Sequence, residues 1–204
     1  PPKFLKNKEI YMIDFCYNEK EYMKKILREN RKLVVIDHHI SQRESVAIST
    51  ESIFNNNHAG CVLAWKYFNP NKKTPILLRY IEDQDLWNFK IRNTREIMSA
   101  IWLLVKLDFH VWDELAREVE NGLSRKKYVE MGKIVLLSEK TMMEGIIKNA
   151  QLVRFFGYKT LAVNSPILES ELGHLLYTKM TPIGIVWRVK NDKITFSLRS
   201  NGEA

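Results

Sequence analysis

Apolar residues recur along this chain at two spacings, and the elements they predict alternate before the spacing changes for good near residue 150. The run KLVVIDHHI at 32–40 holds four apolar residues in succession, Leu33 to Ile36, three of them β-branched. Such a run reads as a short strand buried on both faces, as in parallel sheets. A second run, IYMIDF, predicts a strand over 9–13 that also closes on a carboxylate, Asp14. Between them Met23, Ile26 and Leu27 stand at helical spacing, with Asn18 in a capping position. Strand, helix and strand over 9–36 predict a βαβ unit with parallel strands and a right-handed crossover. That geometry sets Asp14 and Asp37 at the same edge of the sheet.

Residues 41–57 are polar with no clear period and read as a loop or a short edge strand. A helix follows over 59–68, stopped by Asn69 and Pro70. Thr74 and Pro75 fit the cap and first position of the next helix, which carries Ile76, Leu77, Tyr80 and Ile81 on one face. Further helices are expected over 94–106 and 109–120, and a long one over 124–149. After it the period falls to two, predicting strands at 151–156, 160–164, 184–190 and 193–199, with a helix at 169–177 among them. The class is α/β: a parallel sheet flanked by helices over 1–123, a linker helix over 124–150, and a partial smaller α+β domain over 151–204.

Composition narrows the function classes. No run of about eighteen uncharged apolar residues exists, so a transmembrane helix is not expected. The first ten residues lack the apolar core of a signal peptide, and the two cysteines have no metal-ligand spacing, which together predict a cytoplasmic location. The net charge of +8 favours anionic partners, nucleic acid or small phosphorylated compounds. Lysines such as Lys24, Lys25, Lys126 and Lys127 are spread over helix faces, so a solvated basic surface is an equal reading.

The chemistry gathers at strand ends. Asp37, His38 and His39 close a buried strand on the side where open α/β sheets place their ligands. Asp14 belongs to the same edge, and Glu82-Asp83-Gln84-Asp85-Leu86-Trp87 forms a second acidic stretch. Carboxylates with imidazoles suit Mn²⁺, Mg²⁺ or Zn²⁺, and the absence of nearby cysteine argues against structural zinc. Such a site serves the hydrolysis of phosphate esters. Spacing to Trp87 favours Asp83 over Asp85 as the acid of this stretch; Asp85 is left to cap a turn or to pair with Arg79 or Arg92. His58, near Gly60, reads as a helix-start residue, with an approach to substrate as the alternative. Trp65, Trp102, Trp112 and Trp187 fall on apolar stripes and are expected in the core, with Trp87 alone open to a substrate.

Five stretches, IYMIDFCY, VVIDHHIS, HAGCVLAWKYF, IEDQDLW and TFSLRSNGEA, follow one another in an order that resembles the DHH family of phosphoesterases with a DHH-associated C-terminal domain. The resemblance covers nearly the whole chain. It implies a two-metal site, usually of Mn²⁺ with Mg²⁺ as the alternative, and a smaller domain that binds substrate. Carried over by motif, Asp14 resembles the bridging metal ligand, His38 a direct ligand and Asp83 the aspartate of the fourth motif. Asp37, His38 and His39 are the catalytic candidates: His39 is similar to the imidazole that contacts the scissile phosphate, and Asp37 to a residue orienting the histidines. Arg199 is similar to the arginine by which the small domain grips a phosphate. The implied activity is hydrolysis of phosphodiester or phosphoanhydride bonds in short oligonucleotides or nucleotide phosphates. Polyphosphate hydrolysis is the neighbouring chemistry, and a catalytically inactive phosphate- or nucleic-acid-binding relative is the alternative. A homodimer is among the assemblies left open. The family's first motif, a His-x-x-x-Asp-x-Asp run, and its glycine- and histidine-rich loop are both missing from the 204 residues. An interior piece of a longer protein, or a degenerate relative, is therefore expected, binding metal weakly and hydrolysing little by itself.

Overall fold

Strand β2 (Lys32–Asp37) is the middle of a three-stranded parallel sheet, between β1 (Glu9–Ile13) and β3 (Glu51–Phe54). In the computed structural model, which describes residues 6–104 and 108–202, Leu33 to Ile36 are fully buried. Both faces of the sheet are covered, which is why the run is continuous rather than alternating. Leu33 and Val35 pack with Met23 and Ile26 of α1 (Lys20–Glu29), and Val34 and Ile36 with Leu63 of α3 (Gly60–Phe68). Burying each such side chain is worth roughly 1.5–3 kcal/mol. The register pairs Ile13 with Ile36, and the Asp14 N–H donates to the Ile36 carbonyl at 2.8 Å. Asp14 and Asp37 therefore leave the sheet side by side.

The polar stretch after β2 holds a short 3₁₀ turn (Ile40–Gln42), a one-turn helix α2 (Arg43–Val46) and β3, the edge strand. Two expected caps are replaced. Asn18 accepts a hydrogen bond from the Gln42 side chain and leaves the α1 start, where Glu19 stands without a side-chain cap. Pro75 takes the cap position of α4 (Ile76–Asp85), and the Ile76 N–H is satisfied by the Glu120 carboxylate at 2.6 Å. α4 runs on through Glu82 to Asp85, so the acidic stretch is helical and its members point to different sides. α5 (Thr94–Leu104), α6 (Phe109–Glu120) and the first turns of α7 (Gly122–Ile146) build a second core around Leu77, Tyr80, Ile97, Ile101 and Val119. Residues 105 and 106, expected to end α5, lie outside the described residues.

The chain divides into two units, residues 1–132 and 133–204, and the division falls within α7. The second unit is a mixed four-stranded sheet in the order β4 (Gln151–Phe155), β5 (Tyr158–Asn164), β6 (Ile183–Lys190), β7 (Lys193–Ser200). β5 and β6 are parallel, joined through α8 (Glu169–Lys179), and the outer pairs are antiparallel. Leu172 and Leu176 of α8 cover Val163 and Val186 on one face. The fold is thus α/β, with one parallel and one mixed sheet. No helix among the described residues is long and apolar enough to cross a membrane.

Candidate metal centre

The site starts from the ends of β1 and β2. Asp14 adopts φ +58°, a left-handed conformation uncommon outside glycine. Asp37 is fully buried, and its Oδ1 accepts from the His38 N–H at 2.7 Å and the His39 N–H at 3.1 Å. The same oxygen meets His39 Nδ1 at 2.7 Å. This bond to Asp37 raises the His39 pKa, against partial desolvation, with the charges of Asp37, Asp14 and Asp85 adding to the rise. Asp37 thereby fixes the turn and one imidazole, and His39 keeps Nε2 for another partner.

His38 Nε2 lies 3.1 Å from Asp14 Oδ1 and 3.4 Å from Asp85 Oδ2. It is buried and makes no hydrogen bond among the described residues, although both carboxylates are close. Asp37 Oδ2 is likewise buried without a partner. Orphaned buried polar atoms are rare and call for a missing partner. Neighbouring ligands on one octahedral ion with bonds of about 2.1 Å stand about 3.0 Å apart. The spacing about His38 is of that kind, so these oxygen and nitrogen donors fit a divalent cation. Asp14, Asp37, His38 and His39 each offer a ligand atom, all within 4.8 Å of one another.

Asp83, expected among the ligands, is elsewhere. It is buried, its Oδ1 accepts from the Lys90 N–H at 2.9 Å, and its Oδ2 from the Ile91 N–H at 3.0 Å and the Thr94 hydroxyl at 2.5 Å. Burial alone would raise its pKa, but the Thr94 bond, the two backbone N–H groups and the Lys90 charge hold it below the ordinary value. Its oxygens are committed to tying down the loop at 88–94. Asp85, about 200° further around the helix, faces His38 in its place. Burial pushes the Asp85 carboxyl upward; His38 opposes this and Asp14 adds to it. Asp85 makes no ion pair with Arg79 or Arg92 among the described residues.

Gly60 is a functional position that sequence reasoning passed over. A Cβ there would overlap the Asp14 carboxyl group, so only glycine lets the start of α3 approach it. The positive end of that helix then faces a carboxylate. The approach is set by Glu82, whose Oε2 accepts from the Ala59 N–H at 3.0 Å and meets His58 Nδ1 at 2.9 Å. His58, expected at the helix start, caps no helix N–H; its ring is held between Glu82 and the Lys66 ammonium, 2.9 Å from Nε2.

Trp102 departs from the core position expected of it: it is 53% exposed, and its Nε1–H donates to Gln84 Oε1 at 3.0 Å. Trp87 sits at φ +55° against Phe89, whose face is covered by the Arg95 guanidinium at 3.5 Å from the ring centroid. Arg199, in the second unit, donates to Ser170 Oγ at 2.6 Å. Both cysteines are free. Burial pushes the Cys16 thiol up to about 11 and the Cys61 thiol up to about 12, so neither is a nucleophile at neutral pH.

No family model matches the chain. An uncharacterised protein of Acanthamoeba polyphaga mimivirus is 29% identical over 209 residues, covering 98% of this chain and 48% of the viral protein. The chain thus spans about half the length of that curated relative. The crystal structure of an uncharacterised protein from Helicobacter pylori is similar with a TM-score of 0.41 at 18% identity, covering 94% of this chain and 68% of that one.

Proposed function

We propose that this chain carries the metal-binding part of a DHH-type phosphoesterase acting on phosphodiester or phosphoanhydride bonds of short oligonucleotides or nucleotide phosphates. The observation that carries the reading is the buried His38 Nε2, unbonded between Asp14 and Asp85 at 3.1 and 3.4 Å. Asp14, His38 and Asp85 would hold a divalent ion, Mn²⁺ or Mg²⁺. When bound, that ion supplies neutralisation of phosphoryl charge and activation of water. Asp37 holds the His39 ring by Nδ1 and favours its protonated form, leaving Nε2–H to donate to a phosphate oxygen. Within the second unit, Arg199 is a candidate to grip a phosphate, since a guanidinium holds two oxygens at once. The surplus of positive charge suits an anionic substrate, and the two free thiols suit a reducing compartment such as the cytoplasm.

The three donors read as ligands, Asp14, His38 and Asp85, suffice for one ion, and this favours an inactive phosphate-binding relative as the second reading. Calorimetric titration with Mn²⁺ and manganese-dependent hydrolysis of short RNA, short DNA, a cyclic dinucleotide and polyphosphate separate the two. On the first reading His38→Ala abolishes both metal binding and hydrolysis of the nucleotide substrates. Unchanged metal binding in His38→Ala and Asp14→Asn contradicts the site. Phosphate binding with no hydrolysis, in this chain and in one extended at both ends, selects the inactive relative.

A further inference from the structure

Asp14 is a wall shared by two cavities of the first unit. One, of about 330 Å³, is bordered by Phe15 and Tyr17 as well as by Asn18, His39 and Gln42. The other, of about 320 Å³, is lined by Asp14 and Asp85 together with Cys61, Ile81, Gln84 and Trp102. Its size is in the range of small-ligand sites. Cys61, held as the thiol, is a small apolar surface there.

Trp102 is the odd residue of this second cavity. More than half of it is exposed, yet its position is fixed at two points. Its Nε1–H is bonded to Gln84, and its ring stands edge-on to Trp112 with centroids 5.9 Å apart at 76°. An exposed tryptophan tethered by its polar edge, lining a cavity with two carboxylates, is a surface for a flat ring. Gln84 adds direction: its Oε1 is taken by Trp102, and its amide NH₂ makes no hydrogen bond among the described residues. That NH₂ is a donor for an acceptor on the edge of the ring. A planar heterocycle with in-plane acceptors, close to a phosphate, is a nucleobase.

We propose that Trp102 stacks the nucleobase adjoining the phosphate bound beside the Asp14–His38–Asp85 metal site, with the Gln84 NH₂ donating to an acceptor on that base. The inference rests on reading Asp14, His38 and Asp85 as ligands of an ion that binds the phosphate, and it narrows the substrate to base-bearing phosphodiesters over polyphosphate. Stacking tolerates any base, so little sequence preference follows.

The test is equilibrium binding, in Mn²⁺, of a phosphorothioate dinucleotide, its abasic analogue and a free nucleoside. Trp102→Leu keeps an apolar contact for Trp112; it should weaken the dinucleotide roughly tenfold and leave the abasic analogue within about twofold. Trp102→Phe, which keeps a ring, should lose less, and Gln84→Leu should weaken only the ligands that carry a base. Equal weakening of both dinucleotides by Trp102→Leu, or of neither, overturns the inference while the phosphate site stands. Nucleoside binding that disappears in Trp102→Leu, with no phosphate compound bound by any variant, upholds the aromatic subsite and removes the phosphoesterase reading. A wild-type chain that binds none of the three ligands overturns the inference.

Discussion

Asp83 and Asp85 stand two residues apart on α4 and live in opposite surroundings. Asp83 sits among three donors, the N–H groups of Lys90 and Ile91 and the Thr94 hydroxyl, which stabilise its charge and lower its pKa. Asp85 sits beside His38 and Asp14, with its carboxyl pushed upward by burial and no hydrogen bond to offset it. A carboxylate whose lone pairs are filled by the protein is finished as a structural part. One held near another acid and an unbonded imidazole keeps an unfavourable arrangement that a cation relieves, and such arrangements gather at functional sites. The presence of an acid in a motif therefore says less than the state of its lone pairs.

The sharpest break of this contrast is in stability. Asp83→Ala leaves two N–H groups and a hydroxyl of the 88–94 loop without their acceptor, and should destabilise the fold by about 3 kcal/mol in urea unfolding. Asp85→Ala, without added metal, should change stability by less than about 0.5 kcal/mol or raise it slightly. Equal losses in the two variants would erase the distinction. Next in size is metal affinity. Asp85→Asn should weaken Mn²⁺ binding by roughly 10–100-fold, about 1.4–2.7 kcal/mol, while folded Asp83→Asn keeps wild-type affinity. Calorimetry decides between them, and a loss confined to Asp83→Asn would return the ligand role to that residue.

Gly60→Ala comes third. The added methyl has to displace the Asp14 side chain or the start of α3, and should lower stability by roughly 1–2 kcal/mol and Mn²⁺ affinity along with it. Thermal unfolding and calorimetry on the same sample check both. The smallest effect is the pH dependence. The folded Asp83 pKa lies below the ordinary 3.8, so its stabilising contribution is complete above that value and is lost as pH falls through the folded pKa. Asp83→Asn should flatten this acid limb of the stability curve. Asp85, raised when folded, works with the other sign: in metal-free protein its contribution becomes less unfavourable as pH falls from its folded pKa towards 3.8.

How much of this was legible in the sequence follows from how local each cause is. The strand at Leu33 to Ile36 was legible because burial on both faces makes its apolar run continuous, and the four later strands because their apolar residues alternate, although Ile194, Phe196 and Leu198 of β7 are exposed. The meeting of Asp14 with Asp37, His38 and His39 followed from parallel strands ending at one edge. The choice between Asp83 and Asp85 was not legible. It is decided by a loop whose turns at Trp87, Phe89 and Asn93 take positive φ without glycine, and by donors seven to eleven residues downstream. Trp102 was hidden because the apolar run of α5 is wider than the face it buries: Ile97, Met98 and Ile101 are inside while Trp102, Leu103 and Leu104 are exposed. The Glu120 cap of α4 comes from 44 residues away and leaves no local sign at all.

The most direct test of the central claim is the anomalous scattering of manganese in crystals of the chain grown with Mn²⁺. The account predicts a peak within bonding distance of Asp14, His38 Nε2 and Asp85, and none at Asp83. A manganese peak at Asp83, or metal-loaded crystals with no peak beside His38, would contradict it.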